Sequence, residues 1–258
     1  MAAPEHDDLR LLAIEIATDA AQFVAYEREQ ADWSHTSDTK STPTDMVTAV
    51  DRASEARIVA AIRKRRPDDG LMGEEGTGAP GTTGLTWVID PIDGTTNFVY
   101  GYPATAVSIA VVQDVSGDSV AGAVVDVGRG EVFSATKGGG AFVNDGPIAL
   151  GDGPVDLSFA LVSTGFSYSA ETRVAQGKLI ARLLPVIRDI RRGGSAALDL
   201  CWAAAGRVDA YFERGTAPWD RAAGMLVAQE AGLLGDFEDP LVWVAHPRIA
   251  PDLLALIR

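Results

Sequence analysis

The sequence predicts an α/β protein in two unlike parts, an α+β N-terminal half followed by an α/β C-terminal half. Three observations carry that reading. Two helical stretches with apolar periodicity precede a run of short strands between residues 86 and 144, with glycine turns among them. From residue 159 onward strands and helices alternate. The 258 residues are 47% hydrophobic, which suffices to bury a core in one large domain or two coupled halves.

Leu9 to Gln30 places Leu12, Ile16, Ala20, Phe23 and Val24 at helical spacing. A second helix is expected from about Ala49 to Arg66, where Pro67 stops it. Thr48-Ala49-Val50-Asp51 has the spacing of a capping box at its start. Gly76 to Gly84, rich in Gly, Thr and Pro, predicts a mobile surface loop. Strands follow at Thr86–Asp90, Ala106–Gln113, Val120–Asp126, Glu131–Thr136 and Ala141–Asn144. Gly128-Arg129-Gly130 and Gly138-Gly139-Gly140 supply turns between them. Leu150-Gly151-Asp152-Gly153-Pro154 marks the expected boundary between halves 1–150 and 151–258. Beyond it come a strand at Phe159–Ser163, a helix near Glu171–Pro185, a short strand at Arg188–Arg191 and a helix after Gly193-Gly194-Ser195. A strand at Asp209–Phe212, a helix from Trp219 to Gly232, a strand at Val242–Ala245 and a last helical turn or two at Asp252–Ile257 complete the series.

Composition excludes several functions. The formal net charge of -14 disfavours nucleic acid and acidic membranes as partners. No apolar run approaches the ~18 residues of a membrane span. Met1 to Arg10 is acidic and lacks a signal-like apolar segment, so a cytoplasmic location is expected. Cys201, the single cysteine, lies in the apolar stretch Leu198–Ala205 and reads as a buried structural thiol. The three histidines, His6, His35 and His246, lie away from every motif. This disfavours a histidine general base or a histidine zinc site. There is no Gly-x-Ser-x-Gly nucleophile elbow.

The chemistry concentrates in Asp90-Pro91-Ile92-Asp93-Gly94-Thr95-Thr96. Its two carboxylates follow the apolar run Trp87-Val88-Ile89, where burial without a partner is costly. Gly94-Thr95-Thr96 offers backbone N–H groups able to cradle an anion. A metal beside a phosphate is the simplest joint reading. Three other acidic features stand elsewhere: Asp51, Glu74-Glu75 and Asp220. Each has a plain alternative. Asp51 could only cap a helix, Glu74 and Glu75 could be a solvated strand end, and Asp220 could serve a helix's first turn. A phosphate beside so many carboxylates needs bound cations to remove the repulsion. All-oxygen ligands suit Mg²⁺.

Taken together, these segments resemble the inositol monophosphatase family of magnesium-dependent, lithium-sensitive phosphatases. The first signature is Trp87 to Phe98, and the second runs from Trp219-Asp220 to Gly224 and on to Glu230-Ala231-Gly232. Lys40, Thr44 to Thr48, Asp51, Gly73-Glu74-Glu75, Arg192 to Ala197 and Asp209 to Glu213 match in the same order. The resemblance implies a layered α-β-α-β-α sandwich of the sugar phosphatase type, usually a homodimer.

It also implies a division of labour. Glu74, Asp90, the carbonyl of Ile92 and the Thr95 hydroxyl would surround one Mg²⁺. Asp90, Asp93 and Asp220 would hold a second, and Glu74 would share in a third, weaker site. Asp51 would orient Thr95, so that a water on the first ion beside Glu74 and Thr95 is readily deprotonated. That water would attack phosphorus directly, without a covalent intermediate. Gly94 and Thr95 would meet phosphate oxygens, and Glu213 would accept polyol hydroxyls. Gly194, Ser195 and Ala196 would shape that wall, with Asp93 and Asp220 also facing substrate. Inositol 1-phosphate is the expected ester. The alternatives are histidinol phosphate, fructose 1,6-bisphosphate, adenosine 3′,5′-bisphosphate, or a protein-binding regulatory role on the same fold.

Overall fold

The computed structural model describes residues 4–30, 38–39 and 46–258. Lys40, Thr44 and Asp45 lie outside the described residues. Helix α1 (Pro4–Gln30) is followed by a two-residue pair, β1 (Asp38–Thr39) with β2 (Met46–Val47), and by α2 (Ala49–Arg65). Thr48 caps α2 and Asp51 returns a hydrogen bond to the Thr48 N–H, so the expected capping box forms.

An eight-stranded sheet then takes shape from β3 (Gly70–Gly73), β4 (Gly78–Ala79), β5 (Leu85–Asp93), β6 (Ala106–Gln113), β7 (Ser119–Asp126), β8 (Glu131–Thr136), β9 (Gly140–Val143) and β10 (Gly146–Ile148). Its order is β10-β9-β8-β7-β6-β5-β3-β4, antiparallel throughout except where β3 runs parallel to β5. The short helix α3 (Thr95–Tyr100) directly follows β5.

The chain crosses to a second sheet between Ile148 and Leu161, the interval that holds the expected boundary at Leu150–Pro154. Five strands build this sheet: β11 (Leu161–Thr164), β12 (Asp189–Arg191), β13 (Ala210–Arg214), β14 (Leu234–Glu238) and β15 (Leu241–Ala245). Their order is β12-β11-β13-β15-β14, with β11 parallel to both its neighbours. Its helices are α4 (Ala170–Leu183), α5 (Ala196–Ala204), α6 (Pro218–Glu230) and α7 (Ala250–Ile257).

Three apolar cores define five layers. Leu9, Ala13, Ile16, Ile58 and Ile62 of α1 and α2 pack on Trp87, Ile89, Ile109 and Val111 of the large sheet. On its other face, Val88, Val124 and Phe133 meet Leu198, Leu200, Leu226 and Val227 of α5 and α6, which also touch Tyr211, Val242 and Val244 of the small sheet. The far face of the small sheet is covered by Leu183 of α4 and by Leu253 and Ile257 of α7. The expected α-β-α-β-α sandwich is the arrangement found. Ala203 and Ala204 belong to the middle core. Cys201 is buried there too, and burial pushes its thiol well above the usual range, as expected for a structural residue.

Two expectations need correction. The stretch from Gly76 to Gly84 is tied down rather than a free loop. It contributes β4, the Gly73 N–H bonds to the Thr77 carbonyl, and the Thr82 N–H bonds to the Asp68 carbonyl. Thr77 is also held by Glu55, through its N–H and its hydroxyl. Nor does β5 end at Asp90; it continues to Asp93 through a register shift.

Candidate active site

That register shift creates the site. Asp90 pairs with Ser108 and Asp93 with Ala106, so Pro91 and Ile92 together stand opposite a single residue, Val107. In a regular strand, side chains three positions apart point to opposite faces. One extra residue in a bulge restores them to the same side. Proline fits because a bulge needs no ladder N–H there. The Pro91 carbonyl accepts from buried Ser54, and the Ile92 N–H donates to Asp90 Oδ1 at 3.0 Å.

Gly94 makes the next turn at φ 92°, where a Cβ would stand 2.8 Å from the Ala104 carbonyl oxygen. Thr95 is thereby aimed back at α2. Its hydroxyl lies 2.9 Å from Asp51 Oδ1 and 3.1 Å from the Ile92 carbonyl oxygen. Asp51 is fully buried and does not reach the cavity itself.

Three further elements bring acids to this turn. Glu74 follows β3, and its N–H bonds to the Ile89 carbonyl at 3.2 Å. Asp220 lies in the first turn of α6, where its Oδ2 accepts from the Ala217 N–H at 2.6 Å. The Ser108 hydroxyl reaches the Trp219 carbonyl oxygen at 3.4 Å and ties that helix start to β6. Glu213, the penultimate residue of β13, accepts from the Tyr211 hydroxyl at 2.8 Å. Gly165, after β11, leaves it room, since a Cβ there would be 1.8 Å from Glu213 Oε2.

A cavity of about 330 Å³ gathers these groups. Glu74, Asp90, Ile92, Asp93, Gly94, Thr95, Gly194, Ala196, Glu213 and Asp220, each expected at the site, line it. Ser195 does not. It is buried, and its hydroxyl donates to Asp93 Oδ2 at 2.6 Å while the Ala197 N–H bonds the same oxygen at 2.7 Å. Sequence reading missed Phe166, Tyr168 and Arg192, which complete the wall. Phe166 and Tyr168 follow the strand expected at 159–163 and Arg192 follows the one at 188–191, where α/β sheets bind ligands beyond strand C-termini; Arg192 also opens the matched segment Arg192 to Ala197.

Among the described residues, five carboxyl groups and one guanidinium line the cavity. Burial, and then Glu74, Asp93 and Asp220, push Asp90 well above the usual carboxylate range. Burial raises Asp93 to about 7 against the hydrogen bonds from Ser195 and Ala197. It raises Glu213 to about 7 and, with Asp93 beside it, Asp220 to about 8. Among the described residues, no three acidic, histidine or cysteine side chains form a ready-made cage. Asp90, Asp93, Glu213 and Asp220 lean instead on donors of the protein. The donor set still fits a hard divalent cation. It is carboxylate, carbonyl and hydroxyl oxygen, with no sulfur or imidazole among the described lining residues. Such a cation would neutralise carboxylate charge that, among the described lining residues, the guanidinium of Arg192 does not balance.

The sequence profile of the inositol monophosphatase family matches residues 5–244. The chain is 47% identical to an inositol-1-monophosphatase of Mycobacterium leprae, over 100% of this chain and 97% of that protein. It is 39% identical to the Nus factor SuhB of Escherichia coli K12, over 96% of this chain and 94% of that one. Among solved structures, Mycobacterium tuberculosis SuhB superposes with a TM-score of 0.86 at 43% identity, covering 99% of this chain and 97% of that chain. Thermotoga maritima IMPase gives 0.86 at 32% identity, covering 97% and 96%.

Proposed function

The chain belongs to the inositol monophosphatase family, and from that premise we propose that its acidic cavity hydrolyses inositol 1-phosphate with Mg²⁺. The observation that carries the proposal is the convergence of Glu74 after β3, Asp90 and Asp93 of β5 and Asp220 of α6, three separate elements, around the turn that also presents Gly94 and Thr95. Glu74, Asp90, the Ile92 carbonyl, Asp93, Thr95 and Asp220 would hold two or three Mg²⁺ ions. Bound there, Mg²⁺ supplies Lewis-acid activation of water and neutralises phosphate charge.

The protein's own groups do the rest. Gly94 and Thr95 direct their N–H groups at phosphate oxygens. Glu74 and Thr95 act on the attacking water, with Asp51 fixing the Thr95 hydroxyl. Glu213 accepts hydrogen bonds from the polyol, against a wall of Gly194 and Ala196 held by Ser195. Water cleaves the P–O bond directly, giving inositol and inorganic phosphate. We further read the chain as a cytoplasmic homodimer whose halves meet near residue 150.

A panel of inositol 1-phosphate, histidinol phosphate, fructose 1,6-bisphosphate and adenosine 3′,5′-bisphosphate tests the substrate. Inositol 1-phosphate should lead, only with Mg²⁺, and millimolar Li⁺ should slow turnover. A different leading ester would remove the specific assignment, and turnover in EDTA would remove the cation.

The relatives named Nus factor SuhB favour a second reading, a protein-binding role on the same fold. Asp93→Asn separates the two. Hydrolysis should fall by about 10²–10³-fold, whereas a purely binding role would persist unchanged.

A further inference from the structure

We propose that Asn97 is a positioning residue that locks the two halves of the site together and sets where Asp93 finds its hydrogen-bond donors. Its activity readout rests on the phosphatase reading above; its geometric readout does not. Asn97 lies on α3 and is 7% exposed. Its Nδ2 donates twice, to the Ala104 carbonyl oxygen at 2.7 Å and to the Gly193 carbonyl oxygen at 3.0 Å. Ala104 belongs to the connection from α3 to β6, and Gly193, 96 residues from Asn97, lies in the loop between β12 and α5. A primary amide carries two N–H bonds on one nitrogen; an aspartate of the same shape has only acceptors when ionised.

The consequence reaches Asp93 by a short path. Two residues after Gly193, the Ser195 hydroxyl donates to Asp93 Oδ2, and the Ala197 N–H follows. Asp93 is itself four positions before Asn97. A ring therefore closes through Asp93, Gly94, Asn97, Gly193 and Ser195. The ring has no slack. A Cβ on Gly94 would stand 3.1 Å from the Gly194 carbonyl oxygen, and one on Gly194 would stand 2.9 Å from Asn97 Nδ2. Both glycines have positive φ, 92° and 89°. The loop that shapes one wall and the turn that carries the acids are in register because one amide grips both.

Asn97→Asp tests this, because it keeps the shape and turns two donors into acceptors facing two carbonyl oxygens. In a crystal structure of the variant, the Ser195 hydroxyl should move out of hydrogen-bond range of Asp93. Calorimetry should show Mg²⁺ binding weakened by about tenfold. Measured well below the variant's own melting temperature, kcat/KM should fall by about 10- to 100-fold. A folded variant with the Ser195–Asp93 contact intact and wild-type Mg²⁺ affinity, showing only a lower melting temperature, would overturn the proposal. Asn97→Ala, which removes both donors without adding a charge, gives the same comparison if Asn97→Asp does not fold. If the wild-type chain hydrolyses no ester, the phosphatase reading fails while the crystallographic comparison still decides the role of Asn97.

Discussion

Asp51 serves two neighbours with its two oxygens. Oδ2 accepts the Thr48 N–H at 2.8 Å and the Thr48 hydroxyl, while Oδ1 accepts the Thr95 hydroxyl at 2.9 Å. A helix-cap reading and a site reading of this residue are therefore compatible. They predict separable variants. Thr48→Ala removes the cap hydroxyl and should cost about 1 kcal/mol of stability with activity largely kept. Asp51→Ala should cost similar stability and, in addition, about 10- to 100-fold in kcat/KM, because Thr95 loses its orienting partner. Denaturant melts paired with steady-state kinetics check both. Equal activity losses in the two variants would mean that Asp51 only caps. At this scale the sequence was a good guide to residue types. It could not show Glu55, which receives the Glu75 and Thr77 N–H groups beneath Gly73 and so fixes the turn that carries Glu74. A carboxylate in the middle of a helix looks solvated until its long-range partners are known.

Elements marked by an unbroken apolar run between glycine turns were legible. Strands at Ala106–Gln113 and Glu131–Thr136 form with the expected bounds, because apolar runs buried on both faces and bounded by glycine turns agree there. Elements set by tertiary context were not. Thr95–Tyr100 is rich in β-branched residues, yet it turns helical where Gly94 reverses the chain. The β5 bulge left no periodic trace, although it decides which way Asp93 points. Leu234–Glu238 follows an interruption at Gly232 and becomes a strand by pairing with β15. The relation between β11 and β13 supplies another prediction. Gly165→Ala places a methyl where the Glu213 carboxylate now rests, forcing that side chain into the polyol-binding space. KM for inositol 1-phosphate should rise by several-fold, while a phosphate ester without polyol hydroxyls should be unaffected. Equal losses for both esters would contradict a substrate-binding Glu213.

Across the whole molecule, the site depends on layers brought together from distant parts of the chain. Asp90 and Asp93 come from the large sheet, Asp220 from the middle helix layer and Glu213 from the small sheet. The same burial gives stability a definite pH dependence. Unfolded carboxyl groups titrate near about 4, whereas Asp93 and Glu213 are raised to about 7 and Asp220 to about 8. Between those values the folded state binds more protons than the unfolded one, so stability falls as pH rises. In EDTA the melting temperature should drop between pH 5.5 and 8.5. Added Mg²⁺ should restore most at the alkaline end, where the carboxylates are ionised and free to bind it. A melting temperature independent of pH in EDTA would show that these acids are not strained by burial.

A crystal soaked with Mg²⁺ or Ca²⁺ together with phosphate puts the site to its most direct test. Cation density should appear between Glu74, Asp90, Asp93 and Asp220, with phosphate against the Gly94 and Thr95 N–H groups. Cations at saturating concentration bound elsewhere, with this cavity holding only water, would contradict a metal-dependent phosphatase site.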